Sequence, residues 1–201
     1  PAEEPADQED TAPDREPQPE PEESPAPPPP EAAAVEPAPP AAPPPPPAME
    51  LTGADQAAAA VASAARLLRK ENPRDPIPYL LLRSLRWGEV RGDGDRIDLQ
   101  LLEAPRPEDR KRLRSLFLDE KWEELLEATE EGMAPEAGRG WLDLQRYAVL
   151  AADHLGAGFK AVTASLRGAL RTHLRDHPGL TSVTLMDDSA AASPDTLQWL
   201  Q

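Results

Sequence analysis

Residues 72–87 read NPRDPIPYLLLRSLRW and set three prolines, Pro73, Pro76 and Pro78, directly before a leucine-dense run. Proline is tolerated in the first turn of a helix and breaks it further in. Asp75 is therefore the expected N-cap and Pro76 the first helical residue, with Pro78 still in the opening turn. From Tyr79 on, Leu80, Leu81, Leu82, Leu85 and Trp87 cover most of the helix circumference, interrupted only by Arg83, Ser84 and Arg86. A helix apolar nearly all round is packed on several sides, so this segment predicts the central post of a helical domain. It is too short for a membrane span, which needs about 20 apolar residues.

Before that post, Ala57, Ala60, Val61, Ala64, Leu67 and Leu68 form a narrow alanine-rich stripe on a helix over 53–71. Pro73 disfavours helical geometry at Asn72, which ends it near Glu71. The stripe suits close packing on another helix, within the chain or on a second copy. After the post, Arg91-Gly92-Asp93-Gly94-Asp95 predicts a loop. Pro107 with Glu108 and Asp109 opens a helix that buries Leu113, Leu116 and Phe117. Asp119 is expected to cap the next, which buries Trp122, Leu125 and Leu126. Gly132–Gly140 is a second loop.

The stretch 141–156, WLDLQRYAVLAADHLG, puts Trp141, Leu144, Ala148, Ala151 and Leu155 on one face, with Tyr147 beside them. Gly156 and Gly158 break it, and Phe159, Val162, Leu166, Ala169, Leu170 and Leu174 mark a further amphipathic helix closed by Pro178-Gly179. Leu180–Met186 is a short extended piece or irregular. Ser193-Pro194 is an N-cap with a first-turn proline, and Trp199-Leu200 begin a last apolar face. The pattern is all-α, six or seven helices in one bundle of paired antiparallel helices.

Composition divides the chain at residue 49. Residues 1–49 hold 19 of the 27 prolines and 12 acids against one arginine, with Val35 and Met49 the only large apolar residues. Such a segment cannot offset its ordering entropy by burial, so a disordered acidic proline-rich linker is expected over 1–49. Extended, it spans on the order of 150 Å. Residues 50–201 match the size of one domain. Neither end of the sequence has the look of a natural terminus, and a fragment of a longer chain is expected. Cysteine is absent, which removes disulfides and thiol chemistry. The acidic balance argues against nucleic-acid affinity, and nothing resembles a secretory or transmembrane run, so the expected location is cytoplasmic.

Catalytic and metal-binding patterns are sparse. His173 and His177, four apart on a helix, have a ligand-like spacing, but lack the intervening glutamate of a zinc-protease motif; helix C-terminal histidines favoured by the dipole are the better reading. Asp93, Asp95 and Asp98 match a calcium loop poorly, since Ala104 stands where the closing glutamate belongs. The basic cluster Arg106, Arg110, Lys111, Arg112 and Arg114 is a possible partner surface or a solvated helix face. Glu123-Glu124, Glu130-Glu131 and Asp187-Asp188 are sequence neighbours that point apart on a helix, so none forms an acid/base dyad by itself. No catalytic residue, cofactor, metal or small-molecule substrate is expected. Trp87, Trp122 and Trp141 read as core.

Three blocks in order carry a family resemblance: NPRDPIPYLLLRSLRWGEV (72–90), WLDLQRYAVLAADHLG (141–156) and HPGLTSVTLMDDSAAASPDTLQWL (177–200). Together they resemble the TssA (ImpA/VasJ-type) family of bacterial type VI secretion, in particular the middle helical region of its longer members. The resemblance marks Pro76, Pro78, Tyr79, Leu80, Leu82, Leu85, Trp87, Trp122, Trp141, Leu142, Leu144, Tyr147 and Trp199 as motif or core positions. It implies a cytoplasmic, non-enzymatic structural protein that associates with baseplate, sheath or tube components; a homodimer paired through the alanine-rich helix over 53–71 is expected beside it. Asp187-Asp188-Ser189 departs from the Asp-Gly-Thr-like turn expected there. The competing reading is a TPR-like helical adaptor that binds partner peptides and recruits through its proline-rich segment.

Overall fold

The computed structural model describes residues 51–91 and 97–201; the linker expected over 1–49, and all but the first residue of the 91–95 loop, lie outside them. Within the described residues the chain is helical as expected, with seven α-helices and no strand beyond a single antiparallel bridge, Thr184 to Ala190. These are α1 (Ala54–Glu71), α2 (Ile77–Glu89), α3 (Pro107–Leu118), α4 (Trp122–Met133), α5 (Leu142–His154), α6 (Lys160–Asp176) and α7 (Pro194–Trp199). α1–α2, α3–α4, α4–α5 and α5–α6 pack as neighbours across short connections, α7 rests on α5, and α2 closes the bundle by resting on α4 and α6.

Proline punctuation works locally as the sequence predicts. Asn72, before Pro73, is extended and ends α1. Asp75 accepts the Ile77 amide at 2.9 Å, so it does the capping, although the helix starts at Ile77 rather than Pro76. Pro107 opens α3 and Ser193-Pro194 opens α7, with Ser193 Oγ accepting the Thr196 amide. Asp119 is not an N-cap: it closes α3. Glu120 takes a left-handed φ of 56°, its amide bonds Phe117 O, and the Lys121 amide bonds Leu116 O. That is a Schellman turn with glutamate where glycine usually sits. The expected loop from Gly132 is shorter, because α4 runs to Met133 and a 3-10 turn occupies Glu136–Arg139.

The central post is α5, not α2. On α5 the residues Leu142, Leu144, Gln145, Arg146, Ala148, Val149, Ala151 and Ala152 are all buried. On α2, Tyr79, Leu82 and Trp87 are buried with Pro78, but Leu80 and Leu85 are only half-buried and stand outside the core cluster. The positions read as interruptions, Arg83 and Arg86, are the buried ones. The face of α1 also differs from expectation. Ala65 and Arg69 are its buried residues, whereas Ala64 is exposed and Leu67 and Leu68 are 58% and 40% exposed.

Candidate functional site

Arg83 on α2 is the hub of the interior. It and Glu130 on α4 are 1% and 0% exposed and form a two-pronged pair, Nη2–Oε1 2.9 Å and Nη1–Oε2 3.1 Å. Arg83 Nε donates to Gln145 Oε1 on α5 at 2.9 Å, and Nη1 donates to the Tyr79 carbonyl at 2.8 Å. Gln145 Nε2 reaches the Met133 sulfur. A guanidinium buried beside leucines is tolerated only when its donors are taken this way. Around it, Arg86 donates to the Ala134 carbonyl and to Glu89, Arg139 also holds Glu89, and Arg69 grips Glu127 with two bonds. Tyr79 donates its hydroxyl to Pro73 O at 2.8 Å. Burial, with Glu130 nearby, pushes its phenol well above the usual range.

A second polar cluster ties α5 to α7. Asp143 Oδ1 accepts the Ser193 amide at 2.9 Å, Ser193 Oγ at 2.7 Å and Thr196 Oγ1 at 2.5 Å. Arg146 Nε donates to Thr196 Oγ1 at 3.0 Å, and its guanidinium lies 4.7 Å from the Tyr147 ring centroid. The Leu142 amide at the α5 start bonds Ala191 O. Thus the polar letters of WLDLQRY join all three blocks: Gln145 holds Arg83 of the first, while Asp143 and Arg146 hold Ser193 and Thr196 of the third. Spacing had marked only the apolar letters of that motif.

His173 and His177 come together at the end of α6 but not as dipole-favoured surface histidines. They are 0% and 3% exposed. Their rings are 5.3 Å apart edge to face, and His173 stacks flat on Trp87 at 4.3 Å. None of their four ring nitrogens has a hydrogen-bond partner among the described residues. Burial first, then His177 and Arg91, lower His173 to about 3, with Asp176 opposing. It is a neutral aromatic wedge. Among the described residues no group of three or more His, Cys, Asp or Glu is arranged to hold a metal ion.

Other expected positions are divided. Trp141 is buried with Leu142 and Leu144, while Trp122, Tyr147 and Trp199 are half-buried; His154 stacks over Trp122 at 4.0 Å. The basic cluster is not one open patch. Arg106 is paired with Asp109, Arg110 with Asp187 and Ser189, and Arg112 with Glu131. Lys111 and Arg114 are exposed and lack ion-pair partners among the described residues. Of the adjacent carboxylates, Glu130, Glu131 and Asp187 are held by Arg83, Arg112 and Arg110, Glu130 most tightly. No described helix is long and apolar enough to cross a membrane.

Comparison with known families gives a match over residues 52–201 to T6SS_VasJ, described as Type VI secretion, EvfE, EvfF, ImpA, BimE, VC_A0119, VasJ. No curated protein matches the chain. The matched span takes in all seven helices and the three blocks that Arg83, Gln145, Asp143 and Arg146 bind together. The chain belongs to the ImpA/VasJ family of type VI secretion proteins.

Proposed function

We propose that residues 50–201 are a non-enzymatic assembly module of the type VI secretion apparatus, acting in the bacterial cytoplasm. It supports building of the baseplate, sheath or tube through protein contacts and pairs with a second copy of itself through α1. Residues 1–49 serve as the tether that precedes it.

The observation that carries this reading is the outward side of α1. Its inward side, at Ala65 and Arg69, already rests in the bundle. Its outer flank, about 120° around the helix from that side, carries Ala60, Ala64, Leu67 and Leu68, with half-buried Val61 at the edge between the two; Leu67 and Leu68 are 58% and 40% exposed. Small side chains let two helix axes approach within about 8–10 Å. Full burial of an exposed leucine is worth about 1.5–3 kcal/mol, and a two-fold pair repeats that gain on both copies.

Light scattering of residues 50–201 at high micromolar concentration tests the pairing. A dimer that Leu67→Glu converts to monomer is expected, and a wild-type monomer would remove the pairing claim. Pull-downs with separate baseplate, sheath and tube proteins test the wider reading, which fails if none is retained.

A further inference from the structure

We propose that the groove between α6 and α7 binds an acidic peptide segment that carries large apolar side chains. The inference rests on the assembly reading and specifies the chemistry of one partner.

Charge on α6 runs against the rest of the chain. The whole sequence carries a net −16, yet α6 holds Lys160, Arg167, Arg171 and Arg175 against the single acid Asp176. At 100° per residue these four basic residues fall within one quadrant of the helix. They are poorly neutralised. Arg167 is 3.4 Å from Asp153, and Arg175 Nε is 3.6 Å from Asp176, both in exposed pairs of small worth. Arg171 is exposed and, with Lys160, makes no ion pair among the described residues.

Beside this stripe lies a groove of about 590 Å³. Arg167, Arg171 and Arg175 form one edge. Leu170, Leu174, Trp199 and Leu200 form the floor, and the last three are only half-buried. An apolar floor with a cationic edge anchors a large hydrophobic side chain and steers neighbouring carboxylates. Nucleic acid would use the edge and leave the floor unfilled. Residues 1–49 bring acids but only Val35 and Met49 as large apolar residues, so that segment lacks the anchor.

The probe is a short synthetic helical peptide with leucines at i, i+3, i+4 and i+7 and glutamates elsewhere, titrated calorimetrically into the whole chain. Saturable one-site binding is expected. Arg171→Glu and Arg175→Glu, both at exposed positions and checked by circular dichroism, each weaken it at least about tenfold. Lys111→Glu on α3 leaves it unchanged. The proposal is overturned by absence of saturable binding, by unchanged affinity in the α6 variants, or by an equal loss in Lys111→Glu. Equal affinity for a serine-for-leucine peptide, for a peptide of residues 2–24, or for phosphatidylserine vesicles overturns it too, since charge alone would then suffice. The titration reads α6 and scattering reads α1, so a monomer that still binds the peptide refutes pairing and leaves the groove standing.

Discussion

Arg83 and Glu130, forty-seven residues apart in sequence, meet as a two-pronged ion pair with almost no exposure on either side. Their attraction must offset the desolvation of two charges, so the pair itself contributes little net stability while either partner alone is costly. Glu130→Ala leaves the guanidinium buried with only Gln145 and the Tyr79 carbonyl. A loss of about 3–5 kcal/mol is expected in urea unfolding monitored by tryptophan fluorescence. The double variant Arg83→Met/Glu130→Leu should recover most of that loss. A double variant as unstable as Glu130→Ala would contradict this account.

His173 makes the fold sensitive to acid. The unfolded chain takes up this proton near 6.5 and the folded chain near 3. Between those values the unfolded state binds more protons, so stability rises with pH. The contribution is complete above about 6.5 and drains away on acidification, at up to about 1.4 kcal/mol per pH unit. His177, Arg91 and Asp176 are the titratable or charged groups that act on it. His173→Phe keeps a ring on Trp87 and removes the titration. Melting curves from pH 7 to pH 4 should fall less steeply for His173→Phe than for wild type; parallel curves would contradict a buried neutral imidazole.

Asp143 latches the last helix to the central one. Three donors, the Ser193 amide, Ser193 Oγ and Thr196 Oγ1, converge on its Oδ1. Asp143→Ala strands them at a half-buried position and leaves Arg146 without an oriented Thr196. A cost of about 2 kcal/mol is expected. Hydrogen exchange should quicken first at Thr196–Trp199, with the amides of α5 nearly as slow as before. Uniform quickening across both helices would show that Asp143 supports the whole bundle rather than α7.

Helix ends are legible in the sequence where proline, aspartate and serine act through local backbone geometry, as at Pro73, Asp75 and Ser193. The faces were less so. Alanine occupies residues 57–60, 62, 64 and 65, so apolar spacing alone does not tell the side that meets α2 from the side left in water. Arg83 and Glu130 carry no signal of burial, because charged letters usually mark the solvent face. Only the fold shows that two such interruptions, far apart in the chain, neutralise each other inside. The leucines of α2 outnumber those of α5 and so point to α2 as the post, but Leu80 and Leu85 stay half-buried while α5 buries residues nearly all round. His173 carried no signal beyond its spacing to His177, since stacking on Trp87 is a tertiary contact.

Two turns use side-chain-bearing residues where glycine is the easier choice. Glu120 has φ 56° in the Schellman turn after α3, and Asp188 has φ 63° in the turn that returns to the Thr184–Ala190 bridge. Asp188 is the middle residue of Asp187-Asp188-Ser189, where an Asp-Gly-Thr-like turn was expected, and its backbone has the conformation glycine would supply. The turn is held by Asp187 Oδ1, which accepts the Ser189 amide at 3.0 Å. Left-handed geometry costs a residue with a Cβ about 1 kcal/mol, and glycine's extra freedom in the unfolded chain gives part of that back. Glu120→Gly should therefore stabilise by about 0.5–1 kcal/mol. Asp188→Gly should gain less, because aspartate tolerates this region better than glutamate. Urea midpoints of the two single variants decide the order, and a destabilised Glu120→Gly would show that its side chain makes an interaction worth more than the strain.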